Sequence, residues 1–136
     1  MREWKAVLSA ARFLSLTIAV LTLLVGALYA GPEQLVRRPL PPGQETIVAV
    51  IEYLFPVWPF LFAFAGAVLC CAAYCRRGLA VTHGLVVAAW GFYGLCLILA
   101  PIRSVPPSPI LVGVIAMGIA AINFTAARLW SALGVK

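Results

Sequence analysis

The chain alternates long apolar runs with short polar or proline-rich breaks. Between Ala6 and Ala30 the only charged residue is Arg12, and the run ends at Gly31-Pro32. Further stretches without Asp, Glu, Lys or Arg extend from Tyr53 to Cys75, from Gly78 to Ile102 and from Ser104 to Ala127. A helix needs about 20 apolar residues to cross a hydrocarbon core of about 30 Å. Each run meets that length, and the pattern predicts spans over about 6–30, 56–74, 79–100 and 110–130. The expected fold class is an all-α integral membrane protein, a single domain over 1–136, with four transmembrane helices in an antiparallel bundle.

The breaks define the connections. Residues 31–44 carry four prolines and two glycines, and 101–109 carry four more prolines, so both stretches stop helices and read as external loops. Arg76-Arg77-Gly78 leaves room only for a tight turn between neighbouring helices. Between the first loop and the second span, Glu45 to Leu54 forms an apolar piece with Glu45 and Glu52 seven residues apart, on one helical face, suited to the membrane interface. Pro56 and Pro59 each remove a backbone donor, so a kink or restart is expected at Phe55 to Pro59.

Composition strengthens the membrane reading. Hydrophobic residues make up 64% of the 136 and charged residues 10%, against about a quarter charged in soluble domains. The net charge of +6 would raise nucleic-acid binding in a soluble chain. Here the charges punctuate apolar runs, so the partner they imply is the lipid bilayer and not nucleic acid. Arg2, Lys5, Arg12, Arg76, Arg77, Arg128 and Lys136 fall on one side of the expected spans, and Arg37, Arg38 and Arg103 on the other. The richer side belongs in the cytoplasm, which places both termini there in a multi-pass protein of the cell membrane. Trp4, Tyr74 and Trp130 would then form an inner aromatic belt, and Tyr29, Tyr53 and Trp58 an outer one. A basic head before an apolar run also suits a signal peptide, with small residues at Val25-Gly26-Ala27. The run exceeds the usual apolar core of about 7 to 15 residues, which favours an uncleaved helix.

Small residues point to how the spans pack. Gly113, Ala116, Ala120, Asn123 and Ala127 share a stripe of the fourth span, and Gly84, Ala88 and Gly91 a stripe of the third. In lipid such stripes allow close backbone approach, and Asn123 offers a hydrogen bond between helices. They serve either the chain's own bundle or a homo-oligomer or larger membrane complex.

Candidate chemistry is sparse. Glu52 and His83 are the residues capable of forming a polar pathway, because ionisable side chains at membrane depth mark ion routes or polar pockets. Both lie near span ends, where interfacial anchoring is the plainer role. Cys70, Cys71, Cys75 and Cys96 include no C-x-x-C pair, and with a single His they predict no metal site. The three cysteines of the second span lie toward the predicted cytoplasmic end, where thiols stay reduced and, in a eukaryotic host, are open to palmitoylation. No phosphate-binding loop, zinc-protease or nucleophile-elbow motif occurs, and neither a catalytic set nor a cofactor is expected. A non-enzymatic protein acting through helix association remains, either an accessory or assembly subunit or a lesion former. In size, span number and basic terminus the chain resembles phage holins. In size and span number it also resembles the small multidrug transporters, which implies the alternative of a small ion-coupled or drug transporter, although its first span lacks that family's central carboxylate.

Overall fold

The computed structural model describes residues 2–32, 36, 47–102 and 110–134, without the side chains of Arg2 and Ile102. Five α-helices are present among them: α1 (Arg2–Ala30), α2 (Ile47–Leu54), α3 (Val57–Cys75), α4 (Leu79–Leu99) and α5 (Leu111–Ala132), with a 3-10 turn at Ala100–Ile102 after α4. Four of them, all but α2, are long and apolar enough to cross a membrane. Even the shortest, α3 with 19 residues, reaches about 28 Å at 1.5 Å per residue. The proline-rich segments holding Arg37, Arg38 and Arg103, together with Glu45, lie outside the described residues.

The proline break behaves as its chemistry requires. The α2 ladder ends with the Phe55 N–H on the Ile51 carbonyl, and α3 starts just after Pro56. Pro59 falls in the first turn of α3, where a missing N–H costs nothing. At the other end of α3, Arg76 is left-handed at φ 57° and its N–H closes on the Ala72 carbonyl. Gly78 is also left-handed, at φ 69°, and α4 begins at the next residue.

Backbone approach divides the helices into two close pairs. On α1 and α3, a Cβ added to Gly26 would lie 2.7 Å from the Ala63 nitrogen, and one on Gly66 2.8 Å from the Leu23 nitrogen. Arg12 ties the same pair near its other end, its Nε donating to the Ala73 carbonyl at 2.9 Å. On α4 and α5, Cβ atoms at Gly94 and Gly113 would lie 3.1 Å and 3.0 Å from the Met117 and Ile98 nitrogens. At Gly26 and Gly66 a side chain would press on backbone atoms under 3 Å away, and at Gly94 and Gly113 it would be tight, so glycine suits all four close approaches.

Between the two pairs runs a wider seam, filled by large side chains. Phe62 of α3 packs on Trp90 and Tyr93 of α4 with ring centroids 4.9 Å and 5.4 Å apart, and Trp58 meets Tyr93 at 5.1 Å. The tilted and edge-on geometries match the quadrupole preference of aromatic rings. Trp58 and Phe62 are wholly buried. Helix α2 leans over this end of the seam, with Val48 buried and its carbonyl accepting the Trp58 indole N–H at 3.0 Å.

Two sequence expectations change here. Trp58 and Trp130, expected in aromatic belts, are core residues, because each indole N–H finds a partner inside the protein. Trp4, Tyr53 and Tyr74 are exposed. The third-span stripe is not the face α4 packs on, since Gly84 and Ala88 are exposed and a Cβ at Gly84 or Gly91 would meet nothing within 4 Å. Helix α4 instead buries Thr82, His83, Val86, Ala89, Trp90 and Tyr93. A large aromatic face fills the seam better than glycines do, so the small residues are turned away from it. On α5, Gly113, Ala116, Ala120 and Asn123 are buried.

Candidate functional site

The seam carries a ladder of polar side chains linking α1 to α4. Ser15 and His83 meet at 2.8 Å, Thr22 accepts the Trp90 indole N–H at 3.2 Å, and the Tyr29 and Tyr93 hydroxyls are 2.6 Å apart. Ser15, Thr22 and Tyr29 recur every seven residues, two helical turns, and therefore share one stripe of α1. Each rung spans more than 60 residues of sequence.

The densest knot surrounds His83. Its Nδ1 lies 2.8 Å from Asn123 Oδ1 on α5, and its Nε2 lies 2.8 Å from Ser15 Oγ on α1. Asn123 Nδ2 donates to the Ile119 carbonyl at 2.9 Å, which sets its amide so that Oδ1 faces the histidine. The Trp130 indole N–H donates to Ser15 Oγ at 3.0 Å, and Ser15 Oγ is also 3.0 Å from the Ala11 carbonyl. Ser15, His83 and Asn123 are all 0% exposed, so every donor has to be placed within the knot.

The proton positions follow from donor counting. Oδ1 only accepts, so Nδ1 carries a hydrogen. Trp130 only donates, so Ser15 accepts from it and keeps one hydroxyl proton. With a neutral imidazole that proton points to Nε2. With a doubly protonated ring, Nε2–H donates to Ser15 and the hydroxyl rotates onto the Ala11 carbonyl. The knot thus satisfies its donors in either state by turning one O–H bond, with no movement of heavy atoms.

Serine, histidine and amide in this order also have the connectivity of a nucleophile, base and orienting group. The surroundings do not support attack on a substrate. Ser15 sits in the interior of a continuous helix, where backbone N–H groups are already bonded along the ladder, and Trp130 and the imidazole close over its hydroxyl. The arrangement holds three helices together and can shift a proton locally.

Of the residues singled out from sequence, His83 and Asn123 come together here, and Gly113, Ala116 and Ala120 lie on the same buried face of α5. Glu52 is elsewhere, half-buried on α2 with Oε2 shielded from solvent. His83 is fully buried, which its nearness to the basic turn in sequence did not suggest. Ser15 and Thr22 carried no expectation from sequence, although their seven-residue spacing on α1 marks a shared stripe, and Trp130 was expected in the inner aromatic belt instead. Cys96 is buried, Cys70 half-buried and Cys71 and Cys75 exposed, all as free thiols. Among the described residues no group of three His, Cys, Asp or Glu side chains is placed to hold a metal ion.

No protein-family model, curated protein or solved structure matches this chain.

Proposed function

We propose that this chain is an integral, multi-pass protein of the cell membrane, with four spans in an antiparallel bundle and both termini cytoplasmic, acting without catalysis through helix association. An accessory or assembly subunit, or a lesion former of the holin kind, works in this way. The order of contacts supports the bundle direction. Arg12, Gly66 and Gly26 touch α3 and α1 partners in opposite sequence order, as do His83 with Asn123 and Gly94 with Gly113. The gathering of Lys5, Arg12 and Arg76 around one end of the helices supports a shared cytoplasmic face under the positive-inside rule. A reporter active only outside the cytoplasm, fused after Lys136, is expected to stay silent, and a strong signal there would reverse the orientation.

The observation that carries association is the outward face of α4. Gly84 and Ala88 are exposed, and the space beside Gly84 and Gly91 is open. A span that met only lipid would have no use for small residues at helical spacing, whereas a neighbouring helix needs them for close approach. The expected result is that two differently tagged copies co-purify from detergent, and that Gly84→Leu with Ala88→Leu reduces this at least fivefold without unfolding the monomer. Val114→Phe, which enlarges an exposed position on α5, should leave pairing intact. Equal pairing in all three proteins would remove this reading of the α4 face.

A small ion-coupled transporter is the second reading, favoured by one observation. An ionisable side chain, His83, is buried where three candidate spans meet, the kind of position that proton routes use.

A further inference from the structure

A cavity of about 380 Å³ opens at the end of the bundle where α1 begins and α3 ends, lined by Lys5, Leu8, Ser9, Arg12, Arg76, Leu79 and Trp130. Three of these seven residues are cationic, one is a hydroxyl, three are apolar, and none is a carboxylate. We propose that this cavity binds the phosphate group of an anionic membrane lipid.

The placement of the cations is fixed by the fold. Lys5, Ser9 and Arg12 stand at i, i+4 and i+7 on one face of α1. Arg12 is held in position by its Nε bond to the Ala73 carbonyl, which leaves the rest of its planar fork of donors for an acceptor. Arg76 approaches from α3 on a backbone turned left-handed at the helix end. Gathering like charges around one hollow is unfavourable unless an anion joins them, and phosphate oxygens accept from lysine, arginine and hydroxyl donors alike.

The apolar share of the lining selects the source of the phosphate. Leu8, Leu79 and Trp130 offer nothing to a free hydrated ion, but they suit the glycerol and first methylenes of a lipid whose phosphate sits among the cations. Leu79 and Trp130 are themselves core residues, 1% and 3% exposed, so this wall is rigid. The site lies at one end of helices long enough to span a bilayer, at the level where headgroups lie. A zwitterionic headgroup would bring its own ammonium into a cluster of three cations, so phosphatidylglycerol should be preferred over phosphatidylcholine. The inference rests on the membrane-spanning reading and is independent of association through α4.

The test uses the full chain purified in detergent, with retained lipids counted by native mass spectrometry after incubation with phosphatidylglycerol or phosphatidylcholine. The variant Lys5→Gln/Arg76→Asn removes two lining cations at exposed helix ends, and asparagine tolerates the left-handed position. The control Arg77→Gln/Arg128→Gln removes the same charge from exposed residues that do not line the cavity. Each cation lining the cavity is expected to contribute about fivefold to anionic-lipid binding. Wild type and control should therefore retain phosphatidylglycerol, and the cavity variant should lose it about tenfold or more. Equal losses in the two variants, or equal retention of phosphatidylcholine, would overturn the site. Displacement of the lipid by millimolar inorganic phosphate would reassign it to free phosphate and overturn the lipid assignment. Co-purification of tagged copies, measured on the same samples, separates failure of this site from failure of association.

Discussion

Replacing His83 with leucine is expected to lower the stability of the purified protein by about 2–3 kcal/mol, the largest loss for any polar side chain in the bundle. Two links between helices disappear at once, one to Ser15 on α1 and one to Asn123 on α5, and hydrogen bonds between membrane helices contribute about 0.6–2 kcal/mol each. The neighbours do not suffer equally. Ser15 can turn its proton to the Ala11 carbonyl, 3.0 Å away, whereas Asn123 Oδ1 is left facing a hydrocarbon side chain. Asn123→Leu should therefore cost less than His83→Leu, since the imidazole can move its proton to Nε2 and donate to Ser15. In the double variant the costs should fall short of additive, because the shared bond is lost only once. Unfolding in increasing SDS, monitored by circular dichroism, measures all three proteins. Strict additivity, or a loss below about 0.5 kcal/mol for His83→Leu, would show that the knot does not act as a unit.

What could be read in advance follows from which signals are local. Helix positions, the break at Pro56 and the turn at Arg76 to Gly78 are set by run length and backbone chemistry within a few residues, and the long helices are found within two residues of their expected ends except that α1 starts at Arg2, four residues early. The Asn123 stripe was legible from helical spacing alone, and its members Gly113, Ala116, Ala120 and Asn123 are buried. The inward face of α4 was not. Its helix presents glycines and alanine on one side and histidine, tryptophan and tyrosine on another, and either set is a plausible packing face in isolation. The choice depends on the distance to the opposing helices, which no local pattern encodes. Once α1 and α3 close up at Gly26 and Gly66, the remaining seam is wide and needs aromatic volume. The same distance brings Ser15 within reach of both His83 and Trp130, contacts that exist only across helices.

Those glycines carry the second large effect. A glycine scan to alanine should sort the chain by backbone distance and not by burial or composition. At Gly26 the new methyl carbon would lie 2.7 Å from the Ala63 nitrogen and 3.2 Å from the Pro59 oxygen; at Gly66 it would lie 2.8 Å from the Leu23 nitrogen and 3.0 Å from the Ala19 oxygen. These are backbone atoms, unable to turn aside, so α1 and α3 must separate and strip dispersion contacts along the whole pair. Overpacking of this kind costs about 1–3 kcal/mol, and each of these two substitutions should fall at the upper end of that range. Gly113→Ala should come next, because its nearest contact, the Ile98 Cγ1 at 2.8 Å, can rotate while the Ile98 nitrogen at 3.0 Å cannot. Gly94→Ala, with all three of its nearest atoms at 3.1 Å, should cost less again. Gly84, Gly91 and Gly118 meet nothing within 4 Å, and alanine there should be neutral within about 0.5 kcal/mol. The same SDS titration gives the ranking, run at protein dilutions where no pairing of copies contributes. A scan in which Gly84→Ala destabilises the monomer as much as Gly66→Ala would mean that α4 packs through its small-residue face after all, and that the aromatic seam is not the interior of this protein.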